Sequence, residues 1–436
     1  MDAHAGIGRE NGAYPKSYYA ATANPAPERT ALIGKTETDI CIVGAGYTGL
    51  SAGLYLAESG FEVAIVEAEK VGWGASGRNG GQIVNGFNAS MTTIRKRHGE
   101  ALAANIGKTL HEGAAIIRER VKTYGIRCDL KRGNLFAACN TKQLRELEGE
   151  HALRRRYGMN GDEPLDKQAI RQHVGSEVYV GGMIDRAGGH VHPLNLALGE
   201  ASAFEQRGGT IFEGTPVQAV DRRPDGTLIK TANGEIRCKV LLLCGNAYLG
   251  DVVSELEPRV MPVSTQIVAT EALNQNQADQ LLPTDLCVED TRYILDYYRL
   301  SADRRLLFGG GTVYGGTDPA DIEAKLRPNL TRVFPHLRNI RIDYAWSGNF
   351  ALSFQRLPQL GRLDNSTYFA HGYSGHGVTG AHLFGRILAE AVKGDLGRFD
   401  VFAKLRWYPF PGGRRFRVPY SVAGSWWYAM RDAIGV

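Results

Sequence analysis

Nowhere in the 436 residues is there an apolar run long enough to cross a bilayer, and residues 1 to 37 lack the continuous apolar core of a secretory signal. A cytoplasmic location, with no membrane partner, is therefore expected. Cysteine is scarce as well. Cys41, Cys128, Cys139, Cys238, Cys244 and Cys287 follow no metal-ligand spacing, so no metal is expected and reduced thiols are the simplest account. The net charge of +5 is too small and too dispersed to argue for nucleic acid. No internal repeat or low-complexity segment is present. What remains is an ordinary soluble balance, 43% hydrophobic and 22% charged, in a chain long enough to expect two domains.

The organising stretch runs from Thr38 to Gln82. Ile40–Val43 reads as a strand buried on both faces, and it leads into Gly44-Ala45-Gly46-Tyr47-Thr48-Gly49. In this G-x-G-x-x-G pattern the first glycine permits a tight turn and the second a close approach to pyrophosphate. The third permits tight helix–strand packing, while the helix N-terminus offers amide hydrogens to the anion. Leu50, Leu54 and Ala57 recur at helical spacing, and Val63–Val66 forms a second strand closed by Glu67 and Ala68. Glu67 is placed to accept ribose hydroxyls, which disfavours a 2′-phosphate. The segment Gly72-Trp73-Gly74-Ala75-Ser76-Gly77-Arg78-Asn79-Gly80-Gly81-Gln82 is too irregular for helix or strand. A glycine-rich loop beside a long flat ligand, with Arg78 offsetting phosphate charge, points to FAD rather than NAD.

Further along, residues 89 to 150 turn helical, and Arg127–Ala138 reads as a strand pair bent at Gly133. A helix is expected from about Leu194 with Pro193 in its first turn. The preceding His190 and His192 have no metal-ligand partners and are expected to be structural. Thr210–Val220 reads as a strand pair, and Val240–Cys244 as a buried strand ending at Gly245. Met261–Gly316, rich in aromatics, reads as an antiparallel sheet. Tyr368–His371 is a strand before a third glycine-rich turn, Gly372–Thr379. The expected fold is α/β (α+β overall): a Rossmann-like FAD-binding domain with a second, largely antiparallel substrate domain. The expected boundaries are an N-terminal arm over 1–37, the FAD-binding domain over 38–85, 185–258 and 346–436, and the substrate domain over 86–184 and 259–345. Tyr18 and Tyr19 of the arm are expected to pack on the surface, with help in closing a pocket as the alternative reading. The basic, aromatic tail from Gly412, with Arg414, Arg415, Arg417, Trp426, Trp427 and Tyr428, is expected to pack on the body or a second subunit. An interfacial membrane helix is the alternative reading.

Three glycine-rich stations in this order resemble the D-amino-acid-oxidase and glycine/sarcosine-oxidase superfamily. Finer strings resemble its γ-glutamylputrescine oxidase branch: SYYAATAN from Ser17, GASGRNGGQ from Gly74, HPLNLALGEA from His192 and GNAYLGD from Gly245. Others are VEDTRYILDYYRLSADRRLLFGGG from Val288, WSGNFALSFQRLPQLGRL from Trp346, GYSGHGVT from Gly372 and YPFPGGRRFRVP from Tyr408. The resemblance implies an FAD enzyme of putrescine degradation. Such enzymes oxidise the free terminal amine of γ-glutamylputrescine to an aldehyde, releasing ammonia and hydrogen peroxide, with dioxygen as electron acceptor. Sarcosine oxidases of the superfamily tether flavin through a cysteine just before the last glycine turn. Ser347–Leu352 holds none, so a non-covalent FAD is expected. Their oxygen-assisting lysine aligns with Leu307, which leaves the activation of dioxygen open.

Amine oxidation needs a neutral amine beside the flavin, and an aromatic, poorly hydrated slot lowers an amine's pKa while its ring faces still attract the cation. The expected catalytic residues are His376, Trp346 and Tyr298. Tyr293, Tyr297, Phe350, Arg292 and Arg299 are expected to bind substrate, the arginines through a carboxylate, with Arg356 a further candidate. Asp296 and Glu289 are candidates for attracting amines. The expected cofactor-binding residues are Gly44, Ala45, Gly46, Tyr47, Thr48, Gly49, Glu67, Ala68, Gly74, Ala75, Ser76, Arg78, Asn79, Gly80, Gly81, Gln82, Val217, Gly245, Gly375, His376, Gly377, Val378 and Thr379. A related flavin oxidase or dehydrogenase acting on another amine or amino acid is the rival reading.

Overall fold

The computed structural model describes residues 12–434 apart from 224 and 225. Its strands divide between two sheets. In the first, Gly34–Val43 lies between Gly234–Leu243 and Val63–Val66, all parallel, and Thr210–Phe212 and Thr367–His371 extend it on either side. Gln359–Arg362 closes one edge antiparallel. These central strands read as unbroken apolar runs because helices cover the sheet. Tyr47–Glu58 packs on Gly377–Val392, burying Leu50, Leu56, Phe384 and Ile387 in one cluster.

The second sheet runs Ile342–Ser353, Val260–Thr270, Leu306–Tyr314, Tyr297–Leu300, Cys287–Asp290, Lys131–Ala138, Gly181–His190 and Gln82–Ile83. Most of its pairs are antiparallel; Cys287–Asp290 with Lys131–Ala138 is parallel. One face carries its own core, built on Tyr298, Phe308, Phe334 and Leu330. The other face turns toward the glycine-rich loops. Gln82–Ile83 pairs with Gly189 and His190, so the second glycine loop ends directly in this sheet.

Several local expectations meet a different outcome. Arg127–Ala138 is not a strand pair: one strand, Lys131–Ala138, carries a register shift at Gly133, which sits at φ 94°. The two strands in the 210–223 region do not pair with each other, since Thr210–Phe212 joins Val63–Val66 and Ala219–Arg223 joins Gly226–Lys230. Tyr18 and Tyr19 do not lie on the surface. They are 4% and 0% exposed, on a short helix capped by Ser17, and Tyr18 Oη donates to Asp303. The remainder of the arm to residue 11 lies outside the described residues, as do the side chains of Arg414 and Tyr428. The boundaries expected at 185 and 346 fall inside Gly181–His190 and Ile342–Ser353, strands of the second sheet. Pro193–Gln206 forms the expected helix, with His192 as its N-cap and His190 buried against the Asp285 carbonyl.

Candidate active site

A cavity of about 340 Å³ opens along the C-terminal ends of the parallel strands. Its walls include Gly44, Gly46, Tyr47, Thr48, Glu67, Ala68, Gly74, Ala75, Ser76, Asn79, Val217, Gly245, Gly375, Gly377 and Val378. Three glycine-rich stations, two near the start of the chain and the third beginning at Gly372, are thus brought to one hollow, and side-chain hydrogen bonds hold them there. Tyr47 N–H donates to Ser76 Oγ at 3.0 Å, joining the first station to the second. Thr48 Oγ1 and Tyr373 Oη lie 2.7 Å apart, joining the first to the third. Thr379 Oγ1 donates to the Val84 carbonyl at 2.6 Å.

The glycines have measurable reasons. A Cβ on Gly49 would lie 2.0 Å from the Gly44 carbonyl oxygen, and one on Gly46 would lie 2.9 Å from Ser76 Oγ. Gly44 itself sits at φ 106°. Glu67 accepts from Ala45 N–H and Glu69 N–H, and burial raises its carboxyl to about 7 against those two bonds. Its position beside the first turn suits it to a hydroxyl-bearing sugar.

Ala45, Gly49, Arg78, Gly80, Gly81, Gln82, His376 and Thr379 are not on the cavity wall itself. Asn79 Nδ2 donates to the carbonyls of Ala75 and Ser76 and its Oδ1 accepts from Gly81, folding the second loop on itself. Gln82 Nε2 donates to the Val288 carbonyl and so ties that loop to the second sheet. Arg78 packs its guanidinium 4.0 Å over the Trp73 ring and donates through Nε to the Trp73 carbonyl, while its buried Nη2 has no partner. His376, at the N-cap of Gly377–Val392, likewise has a buried Nδ1 without a partner, and burial lowers its imidazole to about 4. Unpaired buried donors and acceptors are costly. Beside a cavity lined by backbone and glycine, they suit a polar, anionic ligand of extended shape, and FAD meets that description.

Above the second loop stands the aromatic face of the second sheet. The Tyr297 ring covers Gly80 and Gly309, where added Cβ atoms would lie 2.7 and 2.2 Å from it. Trp346 is 3% exposed; its indole N–H donates to the Arg78 carbonyl and its ring meets Tyr19 edge-on. Phe350, on the same strand, borders the cavity. Glu289, paired across strands with Tyr297, is buried, and desolvation together with the neighbouring Asp290 raises it to about 8.

Three expected site residues are occupied elsewhere. Tyr298 alternates to the opposite face from Tyr297, where it stacks on Phe308 and donates to Tyr179 Oη at 2.8 Å; it is a core residue, not a catalytic one. Arg292 is paired with Asp290 and Asp296, and Asp296 also holds Arg332 and Asn329, so neither side of that pair is free for substrate. Arg299 is 2% exposed and donates to the carbonyls of Gly80, Val191 and Leu300 and to Tyr19 Oη. It fastens the second loop and the arm with four of its five N–H donors, and it is buried away from the cavity wall. Arg356 differs. It stands at φ 61° just after the strand of Trp346 and Phe350, over the Tyr293 ring at 4.8 Å, with Asn88 Oδ1 accepting at 3.3 Å. No carboxylate pairs with it among the described residues.

Sequence reading missed Tyr248, Tyr373, Thr215 and Cys244, which also line the cavity. Tyr373 lies inside the third glycine-rich turn, so a signal for it was present. Tyr248 lies in the GNAYLGD string, so a signal was present there too; Thr215 carries none. Also missed was a buried ionic cluster behind the first station. Glu200 Oε1 accepts from Arg120 and His382, each at 2.9 Å, and the His382 ring lies against Tyr47. Burial pushes the Glu200 carboxyl up, but the interactions with His382 and Arg120 more than offset this and hold it below its ordinary range.

The family model described as FAD dependent oxidoreductase matches residues 39–391. The chain belongs to that family. As an FAD dependent oxidoreductase it is an enzyme that uses FAD, and the three stations are the residues that would hold it. It is 49% identical over 97% of its length to the gamma-glutamylputrescine oxidoreductase of Escherichia coli K12, covering 99% of that protein. It is 38% identical to the probable oxidoreductase OrdL of Haemophilus influenzae, over 96% of this chain and 97% of the relative. Among solved structures, glycine oxidase from Geobacillus kaustophilus superposes with a TM-score of 0.71 at 23% identity, over 84% of this chain and 98% of that one, which shows the shared fold. No helix among the described residues is long and apolar enough to cross a membrane.

Proposed function

We propose that this enzyme oxidises the terminal primary amine of γ-glutamylputrescine to an imine that water hydrolyses to γ-glutamyl-γ-aminobutyraldehyde and ammonia, the two electrons passing to dioxygen to give hydrogen peroxide. The observation that carries this reading is the 49% identity to gamma-glutamylputrescine oxidoreductase over both nearly complete chains. A place in putrescine degradation and a cytoplasmic location are parts of the same reading.

Bound FAD supplies the acceptor for the hydride equivalent leaving the carbon beside nitrogen. The chain's own residues do the rest. Tyr297, Trp346 and Phe350 form a dry aromatic wall that strips water from the amine and so favours its neutral, reactive form. Glu289, beside Tyr297, is an acid whose charge responds to an arriving ammonium group. His376 is neutral at pH 7 and presents Nδ1, a site that can hold a proton next to the third station. Arg356, with Tyr293 beneath it, receives the carboxylate at the far end of the substrate, where a guanidinium fork binds two oxygens at once.

The FAD is held non-covalently in this account. Ser347–Leu352 contains no cysteine, and Cys244, which borders the cavity, has its thiol pushed up to about 12 by burial, so it is not a thiolate nucleophile. Acid precipitation should leave the yellow colour in the supernatant; colour in the pellet contradicts this part. The reaction is tested in air by measuring ammonia and peroxide against γ-glutamylputrescine consumed. Equal amounts of all three are expected. Ammonia without peroxide would mean that another electron acceptor replaces dioxygen, and no ammonia would mean that another bond is oxidised.

A further inference from the structure

Nine large apolar side chains are exposed among the described residues, and seven of them fall between positions 407 and 430. Five belong to the C-terminal helix Gly413–Ile434: Phe416, Tyr420, Trp426, Trp427 and Met430, with Trp426 73% exposed. At 3.6 residues per turn these five fall within an arc of about 120°. The opposite side is fastened to the body. Arg417 is buried, pairing with Glu257 at 3.0 Å and donating to the Val260 carbonyl, Ser425 is buried, and Val418 packs beside Gly315. The helix is therefore held in one orientation with its aromatic face outward.

Charge is concentrated on the same segment. Between Asp400 and Asp432 there are six Lys or Arg, of which Arg417 is taken up by Glu257, and no acidic residue, while the rest of the chain holds 45 Lys and Arg against 46 Asp and Glu. The whole positive balance of the protein thus belongs to the stretch that carries the exposed rings. A second copy of the chain is a poor cover for this face, because a two-fold pairing would set the patch against itself and bring like charges together. An anionic lipid surface offers both what the rings and what the arginines need. Tryptophan and tyrosine settle at the headgroup level of a bilayer, and basic residues are drawn to acidic lipids.

We propose that this helix lies in the interface of an anionic lipid bilayer and makes the enzyme a peripheral membrane protein. The inference departs from the expectation of no membrane partner, and it does not depend on the identity of the amine. It has a structural consequence. Val418 of the helix packs in the same apolar cluster as Phe350, which borders the cofactor cavity, so the lipid surface lies close to the redox centre.

The test is flotation of the full-length holoenzyme with phosphatidylcholine vesicles, with and without about one-third phosphatidylglycerol. Flotation with the acidic vesicles only is expected, reversed by about 0.5 M salt, which shortens the screening length to a few ångströms. The doubly substituted Trp426→Ser, Trp427→Ser enzyme is expected to lose about tenfold or more in vesicle affinity, with unchanged flavin content and amine turnover. Arg415→Glu gives a second route to the same loss without touching a ring. Failure of the parent holoenzyme to float overturns the proposal. So does a stable dimer in solution that falls to monomers in the double-serine variant, since that would assign the face to a second copy.

Discussion

The two sheets solve different problems. The parallel sheet binds a ligand through backbone, and its requirements are written as contiguous glycine motifs at strand ends. The antiparallel sheet presents side chains, and those that share a face come from strands far apart in sequence. Glu289 and Tyr297 meet across a ladder, and Arg356 reaches Tyr293 over 63 residues. Damage to the first region should therefore abolish cofactor binding outright, whereas damage to the second should change which amine is used, and how well.

The largest effect is expected behind the parallel sheet. Glu200→Ala leaves Arg120 and His382 buried without their carboxylate, and breaking such a pair costs about 3–5 kcal/mol. The parent's dependence on this group has a definite sign. A carboxyl held low in the folded state contributes stability that is present at neutral pH and lost as pH falls through the folded value. Acid unfolding of the parent should thus be steeper than that of the variant, and parallel curves would contradict the assignment. Next, Gly49→Ala places a methyl group against the Gly44 carbonyl, and overpacking of that kind costs about 1–3 kcal/mol. The purified variant should be largely colourless; full flavin content would remove the close packing from the account.

On the antiparallel side the effects are smaller and more selective. Arg356→Met should raise KM for γ-glutamylputrescine about tenfold while leaving its kcat and the flavin content little changed, because a carboxylate contact serves binding rather than chemistry. An equal fall in kcat would instead place Arg356 at the reacting end. Glu289→Gln tests the raised carboxyl. Its folded value near 8 exceeds the unfolded one, so the parent loses stability as pH rises toward that value. The glutamine variant should melt higher than the parent at alkaline pH and should differ least in mild acid. Tyr298→Phe is the smallest: loss of one buried hydrogen bond to Tyr179, about 1 kcal/mol, with unchanged kcat. A large loss of turnover would return Tyr298 to the active site.

The same contrast explains what could be read before the fold was known. Gly44–Gly49, Glu67 and the Gly74–Gln82 loop were legible because turn geometry and close approach restrict residue type locally. Tyr297 and Tyr298 show the limit. They are adjacent tyrosines in one strand, and only the pleat decides that one covers Gly80 while the other stacks on Phe308. Arg292 and Arg299 failed for a related reason. Val191 and Tyr19 reach Arg299 only when strands and the N-terminal arm are assembled, whereas Asp290 and Asp296 are sequence neighbours of Arg292 that only the turn between strands aims at it. Nothing in the local pattern around Glu200 announces Arg120 and His382, which come from two other helices. The outward face of the last helix was weakened as a signal by Pro419 and Gly424, yet the ring positions keep helical spacing across both.

The account turns on a flavin that takes electrons from an amine whose far end is a glutamyl head. Its most direct measurement is the rate at which the visible flavin band bleaches, without oxygen, when the enzyme is mixed with γ-glutamylputrescine, putrescine, sarcosine or glycine. Fast, complete bleaching by γ-glutamylputrescine and much slower bleaching by the other three is the predicted result. Faster bleaching by free putrescine than by its glutamylated form would contradict it.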